Sequence, residues 1–252
     1  MKIKRVLISQ PKPETDKSPY FELAERYGLK IDFKPFIQIE PVTLKEFRQT
    51  KITILDHSAI IFNSKTAVTH FFKLCEELKV TVPDDMKYFC ISESTAFFLQ
   101  KYIVYRKRKI FYGNGVMQDL IEIIKKHSEQ YFLIPCSDVH KDDFATRLEQ
   151  SKIKFTKTIL YRTVNSDLSD LKKDFSYDIL VFFSPNEIPS LKKNFPRYKQ
   201  QETIIAAFGP AACKAVKDAG LRLDIPAPSK EAPSMTMALD IFLKNHFKNL
   251  KK

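Results

Sequence analysis

Short apolar runs alternate along the chain with longer segments whose apolar residues recur at helical spacing. The clearest run, residues 179–183, is β-branched and aromatic, which predicts a strand that is buried on both faces. Ser184 can cap the helix that follows, Pro185 suits its first position, and Glu187 can complete a capping box. Open α/β sheets bind ligands where a strand gives way to the free amides of a helix N terminus.

The same order of strand, turn and helix occurs in three other places. The strands are residues 59–62, 88–91 and 203–208, and the turns after them contain Asn63-Ser64, Ser92 and Gly209-Pro210. In chain order the four copies form two pairs of similar spacing. Two such pairs predict two related α/β domains, each of which presents the helix-start edge of its sheet.

The remaining pattern completes the predicted elements. Further strands are predicted at residues 3–9, 29–37, 103–105, 131–134, 155–163 and 221–225. Further helices are predicted to begin near Ser18, Leu44, Val116, Asp143 and Ser234. Gly28 should end the first helix in the left-handed conformation. Pro135 should stop the strand before it, and residues 111–115 are predicted to form a turn.

The distribution of strands predicts how the domains are divided. The opening β-α-β segment and the C-terminal segment each contain too few strands for an independent sheet, whereas the middle of the chain contains several. The simplest arrangement is an α/β fold of two similar open-sheet, flavodoxin-like domains, one inserted into the other. Residues 1–38 plus 165–252 would form the first domain and residues 41–162 the second, with residues 38–41 and 163–166 as linker strands. Because pockets between domains are favoured ligand sites, we expect the helix starts to line a cleft.

Composition narrows the class of protein. The 252 residues are 44% hydrophobic and 29% charged, which is typical of a globular chain. No apolar run approaches the ~20 residues of a membrane span, and the N terminus lacks the features of a signal peptide. The four cysteines are far apart and mostly lie in apolar segments. This pattern favours reduced, buried thiols and a cytoplasmic location.

The net charge of +12 implies an anionic partner without saying which kind. Nucleic acid is one possibility, but the basic residues are scattered and no nucleic-acid-binding motif is present. The densest basic cluster, residues 102–109, is either a functional basic patch or a solvated edge strand whose lysines discourage aggregation. A small polycarboxylate would satisfy the charge balance equally well.

Two sequence motifs suggest catalysis but have simpler explanations. The side chains of Asp56-His57-Ser58 are adjacent in sequence and point in different directions, so they cannot form a catalytic relay among themselves. In the segment from Cys136 to His140, the position between a buried strand and a helix explains Ser137-Asp138 as capping residues. No zinc-binding, P-loop or dinucleotide-binding motif is present, so we expect neither a metal nor a nucleotide cofactor.

Several hydroxyl residues stand where predicted helices begin: Ser64, Ser92, Thr95 and Ser184. Each is a suitable helix cap on local grounds alone. A functional role is compatible with capping, because a cap hydroxyl and the free amides beside it can also hold a carboxylate.

Taken together, these segments resemble the uroporphyrinogen-III synthase family over nearly the whole chain. The residues that carry the resemblance are 18–23 with 27–29, 60–68, 92–96, 133–136, 159–163, 182–185 and 207–210. Each motif is short, but their order and spacing together are fairly specific. The family has two α/β domains joined by a two-stranded linker, in agreement with the insertion inferred from the strands.

The resemblance implies an enzyme of haem biosynthesis that needs no cofactor. Its substrate would be hydroxymethylbilane, a linear tetrapyrrole with eight carboxylates, which the family closes with loss of water while inverting the last pyrrole. A tyrosine at a strand end beside the linker is thought to assist departure of the hydroxyl, and Tyr161 matches that position. The implied substrate-binding residues are Ser64, Lys65, Ser92, Thr95, Cys136, Lys141, Ser184, Pro185, Asn186, Gly209, Pro210 and Ala211. The resemblance further implies a monomeric lyase that binds a small molecule, with no nucleic acid or membrane as partner.

The chain departs from the family pattern at several positions. Ala211-Ala212 replaces residues that are usually threonines, and Ser92 stands where the family usually has glycine. Pro189, in the first turns after Ser184, would break an ordinary helix and predicts a kink. These departures keep open an alternative function, a non-catalytic two-domain binding or regulatory protein for an anionic ligand.

Overall fold

The computed structural model describes residues 3–139 and 143–249. The chain folds into two compact units: Met1–Gln38 with Val164–Lys252, and Ile39–Thr163. The strands are β1 Arg5–Ile8, β2 Lys30–Phe33, β3 Ile37–Pro41, β4 Ala59–Phe62, β5 Lys87–Cys90, β6 Ile110–Tyr112, β7 Phe132–Ser137, β8 Phe155–Asn165, β9 Ile179–Phe182, β10 Ile204–Phe208 and β11 Ile225–Ala227. The helices are α1 Pro19–Tyr27, α2 Leu44–Gln49, α3 Lys65–Leu78, α4 Glu93–Leu99, α5 Met117–Lys125, α6 Asp143–Gln150, α7 Glu187–Asn194, α8 Pro210–Asp218 and α9 Met235–Asn249.

The first unit contains a parallel sheet with the strand order β11-β10-β9-β1-β2. All four residues of β9 are buried, as its uninterrupted apolar sequence predicts. One face of the sheet packs on α1 and α9, and the other packs on α7 and α8. From β1 the chain continues to β2 on one side of the sheet, and from β9 it continues to β10 on the other side. The crevice between their carboxyl ends is therefore the topological switch point of this unit.

The second unit contains a sheet with the order β3-β8-β7-β4-β5-β6, in which the pairs from β8 to β6 are parallel. Helices α2, α3 and α4 cover one face, and α5 and α6 cover the other. The strand order reverses between β4 and β7, so the switch point of this unit lies at their carboxyl ends.

Local signals in the sequence account for several element boundaries. Helix α1 begins at Pro19 and ends at Gly28, which has φ 63° in the left-handed region as predicted. Helix α2 begins with a reciprocal capping box between Thr43 and Glu46. The Ser234 hydroxyl accepts a hydrogen bond from the Met237 amide at the start of α9.

Four strand predictions need correction. The strand predicted at residues 29–37 ends earlier, as β2 at Phe33, and Ile37 begins a separate strand, β3, which belongs to the other sheet. Residues 103–105 are irregular, and the edge strand is β6, in the segment that we predicted as a turn. Val104 is 79% exposed. Its β-branched side chain favours a strand, but without burial or a pairing partner this preference does not form one. The last strand is β11 rather than residues 221–225; its internal proline is tolerated because β11 lies at the sheet edge.

The fourth correction concerns β7, which continues through Pro135 instead of stopping there. Its register with β4 pairs Ala59 with Phe132 and Ile60 with Leu133, upstream of the proline. Pro135 therefore removes no hydrogen bond from those pairs. Pro189 is similarly harmless: it is the third residue of α7, where a backbone N–H would have no partner within the helix. The kink predicted there is unnecessary.

Candidate functional site

In the second unit, hydroxyl residues lie where β4 and β5 end. Ser64 is the N-cap of α3, and its Oγ accepts a hydrogen bond from the Ala67 amide at 3.0 Å. Ser92 is the N-cap of α4, and its Oγ accepts from the Thr95 amide at 3.4 Å. Since Phe62 at the end of β4 pairs with Cys90 at the end of β5, both caps lie at the same edge of the sheet. The capping prediction is confirmed for these two serines; their contact with substrate stays a prediction.

Tyr161 on β8 reaches the start of α3. Its hydroxyl lies 3.2 Å from Ser64 Oγ, a hydrogen-bond distance at which either group could donate. The side chain is only 7% exposed. Burial raises the pKa of Tyr161 above that of a free phenol, and the bond to Ser64 partly offsets this effect. The phenol therefore keeps its proton at neutral pH.

A β-bulge gives Tyr161 its orientation. The register between β7 and β8 shifts between Cys136 and Ser137, which pair with Ile159 and Tyr161. In a regular strand Tyr161 would share a face with Ile159, which is 42% exposed. The bulge instead places Leu160 and Tyr161, consecutive residues, in the same buried cluster. The strict alternation of a strand would have predicted the opposite face.

His70 on α3 is a neighbour of Tyr161 that the sequence analysis missed. The two rings stack with their centroids 4.9 Å apart and an interplanar angle of 21°. Burial, together with the positive charge of Lys73, lowers the pKa of His70, so the imidazole is neutral at physiological pH. No sequence signal identifies it, because it is one of several aromatic side chains on an amphipathic helix.

The other predicted site residues of this unit differ from one another in exposure and in the contacts of their side chains. Lys65 is exposed at the first position of α3, and its ammonium lies 6.0 Å from the centre of the Phe98 ring. Thr95 is the third residue of α4, so the prediction that it caps a helix is wrong. It is buried, and its hydroxyl lies 3.1 Å from Oγ of Ser92, the N-cap of α4. Lys141 lies outside the described residues, as does His140 of the motif that begins at Cys136.

Cys136 lies deeper in the fold than the sequence predicts, and its contact with substrate stays a prediction. It lies inside β7, is fully buried, and donates a hydrogen bond from its thiol to the Thr158 carbonyl. The prediction placed it after the strand because Pro135 was expected to end the strand. The continuation of β7 through Pro135 is the physical reason for the difference.

An open cavity of about 550 Å³ adjoins Ser92 at this edge. Its lining includes the carboxylates Glu93 and Asp119 as well as the hydroxyl of Ser94. Two acidic groups disfavour a polycarboxylate there. The Ser64 side of the edge, beside Lys65 and Tyr161, is electrostatically better suited to an anion.

In the first unit, the residues after β9 form a turn before α7 begins. The Ser184 hydroxyl accepts from the Asn186 amide at 3.3 Å, and the N-cap is Asn186, whose side chain makes no capping bond. Glu187 accepts the Ser184 amide at 3.1 Å, which is half of the predicted capping box. The other half is absent, so the prediction that Ser184 caps the helix with Pro185 at its first position is wrong. Two turn residues, Pro185 and Asn186, separate Ser184 from the first residue of α7.

The residues after β10 present a bare helix start. Gly209 is the N-cap of α8 with φ 89° and ψ 150°, a conformation essentially restricted to glycine, and Pro210 is the first helical residue. Ala211 is exposed, and its amide belongs to the first turn, where N–H groups have no partner within the helix. These amides remain available in spite of the missing threonine hydroxyls.

The remaining sequence motifs have structural roles. His57 is buried, with Nδ1 3.0 Å from the Thr53 carbonyl, and the Ser58 hydroxyl accepts from the Tyr131 amide. These contacts give His57 and Ser58 the local structural role that the sequence predicts for this segment. Residues 102–109 form an irregular basic loop in which Arg106 is paired with Asp84 at 3.0 Å. Within residues 3–139 and 143–249, no cluster of three or more acidic, histidine or cysteine side chains could hold a metal ion.

The structure so far defines a class: an α/β protein of two units with mostly parallel sheets, each with helix starts and hydroxyl groups at the carboxyl edge of its sheet. The sequence matches the family described as uroporphyrinogen-III synthase HemD over residues 18–237. That match covers most of the chain, and the chain belongs to the uroporphyrinogen-III synthase family. Comparison with curated protein sequences gives no significant match.

Solved structures agree with this assignment at the level of the fold. A mutant uroporphyrinogen III synthase from the extremely thermophilic bacterium Thermus thermophilus superposes with a TM-score of 0.60 at 13% identity, over 97% of this chain and 99% of that one. The uroporphyrinogen-III synthetase of Helicobacter pylori gives 0.61 at 17% identity, over 96% and 100%. The predicted family, the α/β fold class and the prediction of an enzyme, a uroporphyrinogen-III synthase of haem biosynthesis, are confirmed. In the described part of the chain, no helix is long and apolar enough to cross a bilayer.

Proposed function

We propose that Tyr161, supported by Ser64, assists the loss of water with which this synthase begins to close hydroxymethylbilane to uroporphyrinogen III. The observation that carries this proposal is the 3.2 Å contact between their hydroxyls at the carboxyl edge of the second unit's sheet. Such edges, at the switch point of the strand order, are where open α/β sheets bind ligands.

The hydrogen bonds around Ser64 favour one direction of proton donation. Ser64 Oγ already accepts from the Ala67 amide, which leaves its own proton free to be donated to the Tyr161 oxygen. The phenol proton can then point to the hydroxyl of the bilane. Its transfer breaks the carbon–oxygen bond, releases water and leaves a positive charge on the terminal pyrrole unit. Attack by the substituted carbon of the last pyrrole forms a bond to that charged unit and gives a spiro intermediate. The bond from the same carbon to its original methylene bridge then breaks, and the methylene rejoins at the free carbon of the last pyrrole, which inverts that ring. The phenolate regains a proton as this carbon loses its hydrogen.

Because the raised pKa of Tyr161 makes it a weak acid, its contribution should lie at the low end of the ~100- to 10,000-fold typical of general acid catalysis. Most of the selectivity then comes from holding the bilane in a shape that favours the inverted closure. Neutral His70, stacked on the phenol, restricts the ring to one orientation without adding a charge.

The substrate carboxylates need donors rather than acid–base groups. We propose the first-turn amides of α3 together with Lys65, and the amides of α8 after Gly209, as those donors. The net charge of +12 favours a polyanionic substrate. Ser92, Pro185, Asn186, Pro210 and Ala211 belong to the same two edges and are proposed as part of their surfaces.

The finer organisation is also proposed. We assign residues 1–38 plus 165–252 and residues 41–162 as the two domains, with 38–41 and 163–166 as linker strands, on the basis of the two compact units. We infer a monomeric lyase that uses no cofactor and acts in the cytoplasm. The free thiols of Cys75, Cys90, Cys136 and Cys213 support a reducing compartment.

The deciding experiment incubates the protein with freshly made hydroxymethylbilane and separates the type I and type III isomers by chromatography. Since the bilane closes spontaneously to type I, an excess of type III supports the proposal. Binding of a linear tetrapyrrole without formation of type III would instead indicate a non-catalytic binding protein. Steeply salt-dependent binding to DNA would indicate a nucleic-acid partner.

A further inference from the structure

A buried carboxylate occupies the switch-point crevice of the first unit. Glu187 is 3% exposed, and its Oε2 accepts three hydrogen bonds at the carboxyl ends of β1 and β9. The donors are the Ser9 hydroxyl at 2.7 Å, the Phe183 amide at 2.7 Å and the Ser184 amide at 3.1 Å. Two backbone amides and a hydroxyl that converge on one oxygen form an arrangement suited to a bound anion.

These donors are the groups that a ligand carboxylate would be expected to use. The amides at the end of β9 lie at the position where open α/β sheets bind anionic ligands. Here they are already satisfied by a side chain of the same unit. A substrate carboxylate could bind them only by displacing Glu187 from a buried site, and that displacement would leave a second negative charge in the same crevice.

Burial of this carboxylate is unfavourable by itself. Desolvation raises the pKa of Glu187 above the ordinary value, against the three hydrogen bonds, which favour the ionised form. A capping box alone does not require burial, since Glu46 accepts the Thr43 amide at the start of α2 while its side chain is 40% exposed. The inward position of Glu187 therefore needs a reason beyond helix capping.

We propose that Glu187 is a built-in carboxylate that fills the switch-point crevice of the first unit and so excludes substrate carboxylates from the Phe183 and Ser184 amides. It is a positioning residue: it ties the β9–α7 turn to Ser9 and leaves the amides after Gly209 as this unit's donors for substrate. The last statement rests on the proposed function, whereas the anion-binding character of the crevice does not.

The test removes the side chain and offers a small carboxylate in its place. In Glu187→Ala, acetate should bind the vacated donors and raise the thermal midpoint. At about five times its dissociation constant the expected rise is about 2–4 °C. Acetamide has the same shape without the charge and should have little effect. The parent protein, whose crevice is filled, should respond to neither compound.

Glu46→Ala is the matched control, because it removes another carboxylate that accepts a backbone amide, the Thr43 N–H at 2.9 Å, but at an exposed position. Water can solvate the donors there, so acetate should not stabilise this variant. If Glu187→Ala does not stay folded, the yield of refolding in acetate is compared with that in acetamide. Recovery that depends on acetate supports the proposal. An equal response of Glu187→Ala to acetate and acetamide, in either assay, overturns it.

A second readout connects the crevice to the reaction. With the crevice open, a substrate carboxylate can bind there in the wrong place, so Glu187→Ala should release a larger fraction of the type I isomer. Acetate should reduce that fraction again, and an unchanged fraction would overturn the exclusion of substrate. If the parent protein forms no type III isomer, the proposed function fails, but the thermal test of the crevice still stands.

Discussion

Replacement of Tyr161 by phenylalanine isolates the hydroxyl on which the proposed mechanism depends. The ring would keep its stack on His70 and its place in the core of the second unit. The change removes one hydrogen bond, the 3.2 Å contact with Ser64 Oγ. Ser64 Oγ still accepts from the Ala67 amide, and the hydroxyl that loses its acceptor belongs to a part-buried side chain rather than a fully buried one. The loss of stability should be about 0.5–1 kcal/mol, in the lower part of the range for a single hydrogen bond.

The effect on the reaction should be larger than the effect on folding. Loss of a general acid at the low end of its usual range predicts type III formation slower by about 100-fold. Product binding should be almost unchanged, because the phenylalanine ring leaves the surface intact. The rate is measured by isomer chromatography after timed incubation with fresh hydroxymethylbilane, and stability by denaturant unfolding.

Tyr131→Phe provides a matched control. The Tyr131 hydroxyl is also paired with a hydroxyl, Thr156 Oγ1 at 2.6 Å, but Tyr131 immediately precedes β7, at the amino edge of the same sheet. Its removal should cost similar stability and leave the rate unchanged. If Tyr161→Phe turns over at the parent rate, the hydroxyl has only a packing role. The amides at the helix starts would then have to carry the catalysis.

Three further predictions concern backbone conformation, charge and pH. Gly209→Ala should destabilise the protein by about 1–3 kcal/mol from backbone strain alone, since a Cβ there meets no atom within 4 Å. Denaturant unfolding should show a smaller loss of stability for Gly28→Ala, where φ is 63°. Equal losses for the two variants would contradict this reasoning. Binding of the polyanionic substrate or product should weaken as salt rises, because screening acts over ~8 Å at physiological ionic strength; titrations that are independent of salt would remove charge from the explanation. Burial raises the folded pKa of Glu187 above 4.5, so its contribution to stability is fully present below that pH and decreases as pH rises through the folded value. The thermal midpoint of the parent relative to Glu187→Gln should therefore fall with rising pH in the acidic range, and a rise would show that the hydrogen bonds outweigh desolvation.

Residue patterns predicted the helix starts at the sheet edges because the signals for them are local. Ser64 and Ser92 each stand two residues after the end of a buried apolar strand, and a hydroxyl at the start of a helix caps it whatever surrounds it. The contact between Ser64 and Tyr161, 97 residues apart, could not be predicted in the same way. It depends on the bulge between β7 and β8, which reverses the face that strand alternation assigns to Tyr161.

The failures have a similar origin. The residues around Val104 have high strand propensity but are exposed, while β6 forms where the Lys109 carbonyl accepts from the Tyr88 amide on the neighbouring strand. Propensity does not distinguish these two segments, whereas pairing does. Glu187 was predicted as half of a local capping box, and it does accept the Ser184 amide. Its bond from Ser9, which lies 178 residues away, was not predicted. Only the assembled sheet brings the two residues together.

The second unit begins and ends on adjacent strands. Its first residues lie on β3 and its last on β8, which are neighbours in one sheet, and the Val42 amide donates to the Leu160 carbonyl at 2.9 Å. A segment whose two ends lie on neighbouring strands can be inserted into one surface loop of another domain. Such an insertion leaves the strand order of that domain's sheet unchanged. The discontinuous first unit and the continuous second unit thus form the pattern that insertion of one small α/β gene segment into another would leave.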